Sequence, residues 1–334
     1  LVSLMGGGAV LADPGDPGER PVAPEIEGPA AERLGAVASV AAAITLSESG
    51  WSDPSVGTWD PAARVATLTC DLSQGILVLT TAPVLLDGGG HTLTGASSGN
   101  GVDLTGRTGV EVRNLTVRRF TYGFLLSASS GNTLNGNTCT ENGYGIYARQ
   151  SSNGNTLANN HASANNYYGI YLDSARNNTL SGNTANGNGY DGIRLLTSSG
   201  NTLSGNTANN NTRYGIALDR SGNSTLTGNT MVGNRYNLLV DGTLDAEYSN
   251  AIDTSNLVGG RPVYYVRNET GTTYDGATNA GIFYLINCTN VTLRDLTLAG
   301  NGVGLLLWRV QGARLENIQA TNNSTGIWLR YSDG

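Results

Sequence analysis

One alternation of apolar and polar positions recurs along the chain. After a glycine, apolar side chains stand at the first and third positions: Ile146 and Ala148, Ile170 and Leu172, Ile193 and Leu195, Ile216 and Leu218. The second and fourth positions are mixed: Tyr147 and Arg149, Tyr171 and Asp173, Arg194 and Leu196, Ala217 and Asp219. A period of two predicts a strand with one buried face. A second short strand carries Leu134, Leu157, Leu180, Leu203 and Leu226 inward between Thr and Ser neighbours. A third places Cys139, Ala162, Ala185, Ala208 and Met231 at one equivalent position. No segment inside the repeats has helical periodicity.

The glycine step returns every 22 to 24 residues, at Gly101, Gly123, Gly145, Gly169, Gly192 and Gly215. Asn237 takes the next turn, and after an interruption the step resumes at Gly281, Gly304 and Gly326. A fixed period of this size signals a solenoid. Three short strands per period, separated by Asn and Gly turns, predict an all-β fold: a right-handed parallel β-helix of about 10–11 coils, roughly 50 Å long at the strand spacing.

Equivalent residues of successive coils then stack ~4.8 Å apart. Asn132, Asn155, Asn178 and Asn201 fall in one column, and Asn137, Asn160, Asn183, Asn206 and Asn229 in another. Each column suits a structural amide ladder, and Asn and Gly also tolerate the left-handed backbone of sharp corners. Tyr122, Tyr144, Tyr168, Tyr214 and Tyr236 share the position before the step and predict an aromatic stack supporting a corner. Cys139 reads as a core thiol, too many coils from Cys288 to bridge it. His91 aligns with the Asn132 column, and His161 replaces an outward Thr.

The repeat sets the boundaries. Residues 1–28 read as a signal remnant and Pro/Gly linker, ending its apolar run at Val10-Leu11-Ala12. Residues 29–75 read as an N-terminal cap and first strands, with a short amphipathic helix expected from Pro29 to Ile44. Coils follow over 76–240, an insertion between coils over 241–280, and further coils over 281–334, the last cut short. No apolar run is long enough to span a bilayer.

The chain has 334 residues, a net charge of −7, and 19 basic residues, all of them arginine. An acidic balance with scattered Arg argues against nucleic-acid binding. Three cysteines are odd in number and widely spaced, so stability must come from the core.

Two stretches carry a family resemblance. "NAIDTSNLVGGRPVYYV", followed by "GIFYLINCTNVTLRDLTLAGNGVGLLLW", resembles the NosD-like, CASH-type β-helix proteins, particularly archaeal cell-surface forms, and "LLDGGGHTLTG" is similar to their usual opening coil. The resemblance covers roughly Trp59 to Gly334 and implies a secreted β-helix, in some relatives a copper-processing accessory. It implies no shared catalytic set.

Three function classes follow. The first is an exported extracellular or cell-surface scaffold with an assembly or adhesive role, whose partners are itself (end to end or side by side), further domains of a longer chain, or polysaccharide. Tyr147 and Tyr171, read as exposed and stacked near Arg149 and Asp173, are its glycan-binding candidates. Asn268, in an Asn-Glu-Thr sequon, is its glycosylation candidate. The second class is a polysaccharide lyase, hydrolase or epimerase on an exposed face, for which Asp219, Asp241 and Arg194 are the catalytic candidates; the two carboxylates on adjacent coils also suit a Ca²⁺ ion. The third, a copper accessory, is poorly supplied, because His, Met and Cys are few and lie on different coils, so no metal site is assigned. The scaffold is the expected reading, with no cofactor.

Overall fold

The structure, a computed structural model, describes residues 43–333. The signal remnant, the linker and nearly all of the expected helix from Pro29 lie outside the described residues. Ile44, expected to close that helix, instead opens a strand, Ile44–Ser47.

The fold is an all-β right-handed parallel β-helix of about 12 turns, slightly more than the repeat count suggested. Its first sheet holds ten strands, among them Tyr122–Ser127, Tyr144–Arg149, Tyr168–Asp173, Ile193–Leu196, Tyr214–Asp219 and Tyr236–Asp241. The second also holds ten, including Thr133–Asn135, Thr156–Ala158, Thr179–Ser181, Thr202–Ser204 and Thr225–Thr227. A third sheet of four strands runs from Thr92–Thr94 to His161–Ala162, and single bridges at Thr184 and Thr207 carry it on to Thr230–Met231.

Register follows the hydrophobic pattern. Ile146 pairs with Ile170, Ile170 with Ile193, Ile193 with Ile216, and Ile216 with Leu238. Leu134, Leu157, Leu180, Leu203 and Leu226 are fully or almost fully buried, as are Cys139, Ala162, Ala185, Ala208 and Met231. Each such leucine contributes roughly 1.5–3 kcal/mol by leaving water. The strands are too short to curve, so the corners close the coil. Gly205, at φ +62°, takes the left-handed conformation there, and Asn177 and Asn210 reach it with side chains, at φ +56° each.

The expected insertion is largely a piece of the coil. Ala251–Ile252 extends the second sheet from Thr225–Thr227, and Leu257–Val258 pairs with Thr230–Met231. Gly259 and Gly260 then turn the chain back, so Arg261–Arg267 runs antiparallel to Leu257–Val258. From there a second stack grows: Arg261–Arg267, Ile282–Ile286, Val303–Trp308 and Thr325–Arg330 pair in parallel, backed by a sheet of Thr273–Tyr274, Thr292–Ala299 and Arg314–Thr321.

The front sheet of this stack is covered on both faces. Tyr265, Tyr284, Leu306 and Trp308 join the core of the first helix, whereas Phe283, Leu285, Leu305 and Leu307 pack on Leu293, Leu298 and Ile318. Burial on both sides explains the unbroken apolar runs "IFYLI" and "GLLLW". It also corrects the alignment of the steps at Gly281 and Gly304. Phe283 pairs with Leu305, so Gly281 faces Val303, and the one-residue offset exchanges the faces of the two strands.

Candidate functional site

Three buried ladders fix the corners. In the Asn132 column, Asn132, Asn155 and Asn178 each donate through Nδ2 to Oδ1 of the next asparagine, at 3.1, 3.1 and 3.3 Å, and the same oxygen accepts the backbone N–H. The Asn137, Asn160, Asn183, Asn206 and Asn229 column repeats this and ends on Asn256. A third column, Asn142, Asn165, Asn188, Asn211 and Asn234, went unread in the sequence. Its signal was an asparagine two or three residues before Tyr144, Tyr168, Tyr190, Tyr214 and Tyr236, lost among other Asn and Gly of the corner. His91 lies in the Asn137 column rather than the Asn132 column, because Thr92 pairs with Thr116 and Thr116 with Thr138. Its Nδ1 sits 3.2 Å from Asp71, beside an open cleft of about 600 Å³ bounded by Asp71, Ser73, Thr94 and Ala96. His161 is exposed, in line with Thr138 and Thr184.

On this frame, chemistry-bearing side chains collect on the outer face of the first sheet. Register places Tyr147, Tyr171, Arg194 and Ala217 in one column and Arg149, Asp173, Leu196, Asp219 and Asp241 in the next. Tyr147 and Tyr171 stack at 5.0 Å with planes 8° apart. Tyr144 and Tyr168 lie against them, at 5.3 Å from Tyr147 and 4.8 Å from Tyr171. The expectation of exposed rings is therefore corrected: Tyr147 is only 9% exposed and Tyr171 is half-buried, since tyrosines of the neighbouring column cover them. Burial raises the hydroxyl pKa of both, with Asp173 adding to the effect, and raises that of Tyr168 to about 12. The Tyr147 hydroxyl donates to Asp173 at 3.3 Å, and the Arg149 guanidinium lies 5.7 Å from the Tyr147 ring centre.

One residue breaks the tyrosine column, and the sequence reading passed over it. Asp191, in "YDGI", stands between Tyr168 and Tyr214 and is fully buried. Its carboxylate accepts from Arg194 at 3.1 Å and from the Tyr214 N–H at 3.0 Å. Burial pushes the Asp191 carboxyl pKa up, against the pull of Arg194 and Arg213. Burial works against the charge of Arg194, but Asp191, Tyr168 and Asp219 hold it firmly protonated. Arg194 also donates to Asp219 at 2.8 Å, and Arg220 reaches the other Asp219 oxygen at 3.3 Å. Asp219 is thus engaged by two arginines. Asp241 pairs with it in register and accepts from the Gly242 N–H at 2.7 Å. An Asp219 held this way is a poor share of a Ca²⁺ site.

Copper chemistry does not fit the donors. Met231 and Cys139 are sealed in the core, Cys288 is buried in the second stack, and His161 faces outward from the third sheet. No three of His, Cys, Asp and Glu cluster as a metal site among the described residues. Cys70, Cys139 and Cys288 are all free thiols. Asn268 is exposed at φ +58°, its Oδ1 accepting from Asn287 at 2.7 Å.

Solved structures similar to the chain include a mutant of the periplasmic alginate epimerase AlgG, at 15% identity and a TM-score of 0.44, covering 80% of both chains. An alginate lyase from Paenibacillus sp. str. FPU-7 follows at 14% identity and 0.41, covering 80% of this chain and 90% of that one. The A-module of the Azotobacter vinelandii mannuronan C-5 epimerase AlgE4 stands at 14% and 0.36, covering 86% and 88%. Likeness at this level concerns the fold alone. No curated protein matches the chain. Residues 90–265, over half of the sequence, match the family described as periplasmic copper-binding protein (NosD), and the chain belongs to the NosD family.

Proposed function

We propose that the chain is an exported, rigid β-helical scaffold that contacts glycan along the outer face of its first sheet without acting on it. One observation carries this reading: tyrosines and arginines form a continuous strip over successive turns from Tyr122 to Tyr236, on a frame pinned by three amide ladders. Aromatic rings with polar tips suit sugars, which present C–H faces and hydroxyls together. The carboxylates of the strip are occupied, Asp191 by Arg194 and Asp219 by Arg194 and Arg220, which favours holding over turnover. Self-assembly, or further domains of a longer chain, would set many such faces side by side. A location outside the cytoplasm agrees with the family description, and no helix among the described residues is long and apolar enough to cross a membrane.

A polysaccharide-processing role has one observation in its favour. Burial between Tyr168, Tyr214 and Arg194 raises the Asp191 carboxyl pKa, as at many acid–base groups, although the carboxyl is sealed from solvent and would meet a sugar only once uncovered. The test is a glycan array read for binding together with a product assay on every bound polymer. Binding without product, weakened by Tyr171→Ala, is the expected result. Product formation that Asp191→Asn abolishes would replace the scaffold with the enzyme.

A further inference from the structure

Beside the strip, the corner leading into the first sheet carries Tyr167, Tyr190, Arg213 and Arg235 on four successive turns. The Tyr190 N–H donates to the Tyr167 carbonyl at 2.8 Å, the Arg213 N–H to that of Tyr190 at 3.1 Å, and the Tyr236 N–H to that of Arg213 at 2.8 Å. The Arg213 guanidinium lies 4.8 Å from the Tyr214 ring centre and 5.9 Å from that of Tyr190. Arg235 lies 5.4 Å from the Tyr236 ring, and the Tyr214 and Tyr236 rings are 5.6 Å apart. Each cation is therefore held against an aromatic face rather than left to wander.

Neither arginine has an ion-pair partner among the described residues. The nearby carboxylates make their contacts elsewhere, Asp191 with Arg194 and Asp219 with Arg194 and Arg220, and Asp191 acts on Arg213 only through space. Arg213 is half-buried, and Arg235 is exposed on the following turn. Guanidinium groups stay charged at any accessible pH, and like charges on adjacent strands destabilise a sheet. In a chain of net charge −7, two cations rooted one strand spacing apart (~4.8 Å along the backbone), with no ion-pair contact to either, point to an anion that the protein does not itself supply.

We infer that Arg213 and Arg235 form an anion-binding step on the glycan-contacting face, and that the glycan it takes is acidic, presenting carboxylate groups along its chain. This rests on the glycan reading above and narrows its ligand. A polyuronate laid along the helix axis offers one carboxylate per sugar, so neighbouring sugars meet neighbouring turns. Guanidinium forks then give charge-assisted hydrogen bonds, while the half-buried rings of Tyr190 and Tyr236 meet the sugar rings.

The experiment measures binding of polygalacturonate, dextran and inorganic sulfate to the full chain, to the double variant Arg213→Gln/Arg235→Gln and to Tyr171→Ala. Polygalacturonate is expected to bind wild type in a salt-dependent way, and the double variant to lose at least about tenfold in affinity. Thermal melting separates binding from folding. Without ligand, the double variant is expected to melt close to wild type, the lost ring contacts offsetting the relieved repulsion. Polygalacturonate raises the melting temperature of wild type more than that of the double variant. Equal polygalacturonate affinity in the double variant overturns the proposal, and so does sulfate binding as tightly as the polymer, which marks a simple inorganic-anion site. Dextran bound as well as polygalacturonate overturns the acidic preference and leaves the glycan reading standing. Failure of every glycan removes that reading as well.

Discussion

At the scale of single residues, the asparagines are worth more to this protein than their polarity suggests. Asn206 shows why. Its Oδ1 accepts from the Asn183 backbone N–H at 3.0 Å and from Asn183 Nδ2 at 2.9 Å, while its own Nδ2 donates to the Leu180 carbonyl and to Asn229, both at 2.9 Å. All of these groups are buried, so none can turn to water if the side chain goes. Leaving a buried donor or acceptor unmet costs about 1–3 kcal/mol, and Asn206→Ala orphans groups on both neighbouring turns, for a loss of about 2–4 kcal/mol. Thr202→Ala, an exposed hydroxyl on the same turn, is expected within about 0.5 kcal/mol of wild type. Urea denaturation of the two variants decides the matter: equal midpoints would mean that the ladders carry no stability of their own.

At the scale of elements, the first turns of the helix are held by a carboxylate as well as by strands. Glu48, just after the strand Ile44–Ser47, accepts from Arg64 at 2.6 Å and from the Thr81 N–H at 2.7 Å. The hydrogen bond from Arg64, then that from Thr81, lowers its pKa from the ordinary 4.5 to about 2. A depressed carboxyl pKa stabilises the fold above the unfolded value and loses that contribution as pH falls toward the folded one. The opening strands are therefore expected to loosen as pH drops from about 4.5 to about 2, seen as earlier hydrogen exchange at Thr81 and Ala82. Glu48→Gln should flatten that dependence, and an unchanged pH profile in the variant would assign the loosening elsewhere.

Elements also show what the sequence could and could not display. Inward leucines and two of the three ladders were legible because one residue type recurs at one spacing, so chemistry and geometry point the same way. The outer face was read less well. Tyr147 alternates as an outward residue should, but its burial depends on Tyr122, Tyr144 and Tyr171 from adjoining positions and turns, which alternation within one strand cannot encode. Asp191 was overlooked because a lone exception in a column resembles drift until its partner Arg194 is seen beside it. The reversal at Gly259 and Gly260 read as an insertion, since the strands on either side change partners there while keeping their apolar character.

At the scale of the whole molecule, that reversal decides how the protein behaves as one body. A solenoid's stability is a sum of turns and the contacts between them, so each boundary is a place where unfolding can pause. Here the boundary is sealed. The second stack lays Tyr265, Tyr284, Leu306 and Trp308 against the core of the first helix, and its backbone bonds to the last long strand through Asn237 N–H to Gly300 and Gly302 N–H to Leu238, at 2.8 and 2.9 Å. Trp308 is the largest of these contacts. It is 1% exposed, its ring lies 4.2 Å from Tyr248, its Nε1 donates to Asp245 at 2.8 Å, and the Arg330 guanidinium lies 5.2 Å from its ring centre. Trp308→Ala removes packing worth about 3–5 kcal/mol from the seam while leaving the ladders of the first helix untouched. Wild type is expected to unfold in one calorimetric transition, and Trp308→Ala in two, the second stack melting first. Two transitions already present in wild type would show that the seam does not couple the stacks; one unshifted transition in the variant would show that Trp308 does not hold it.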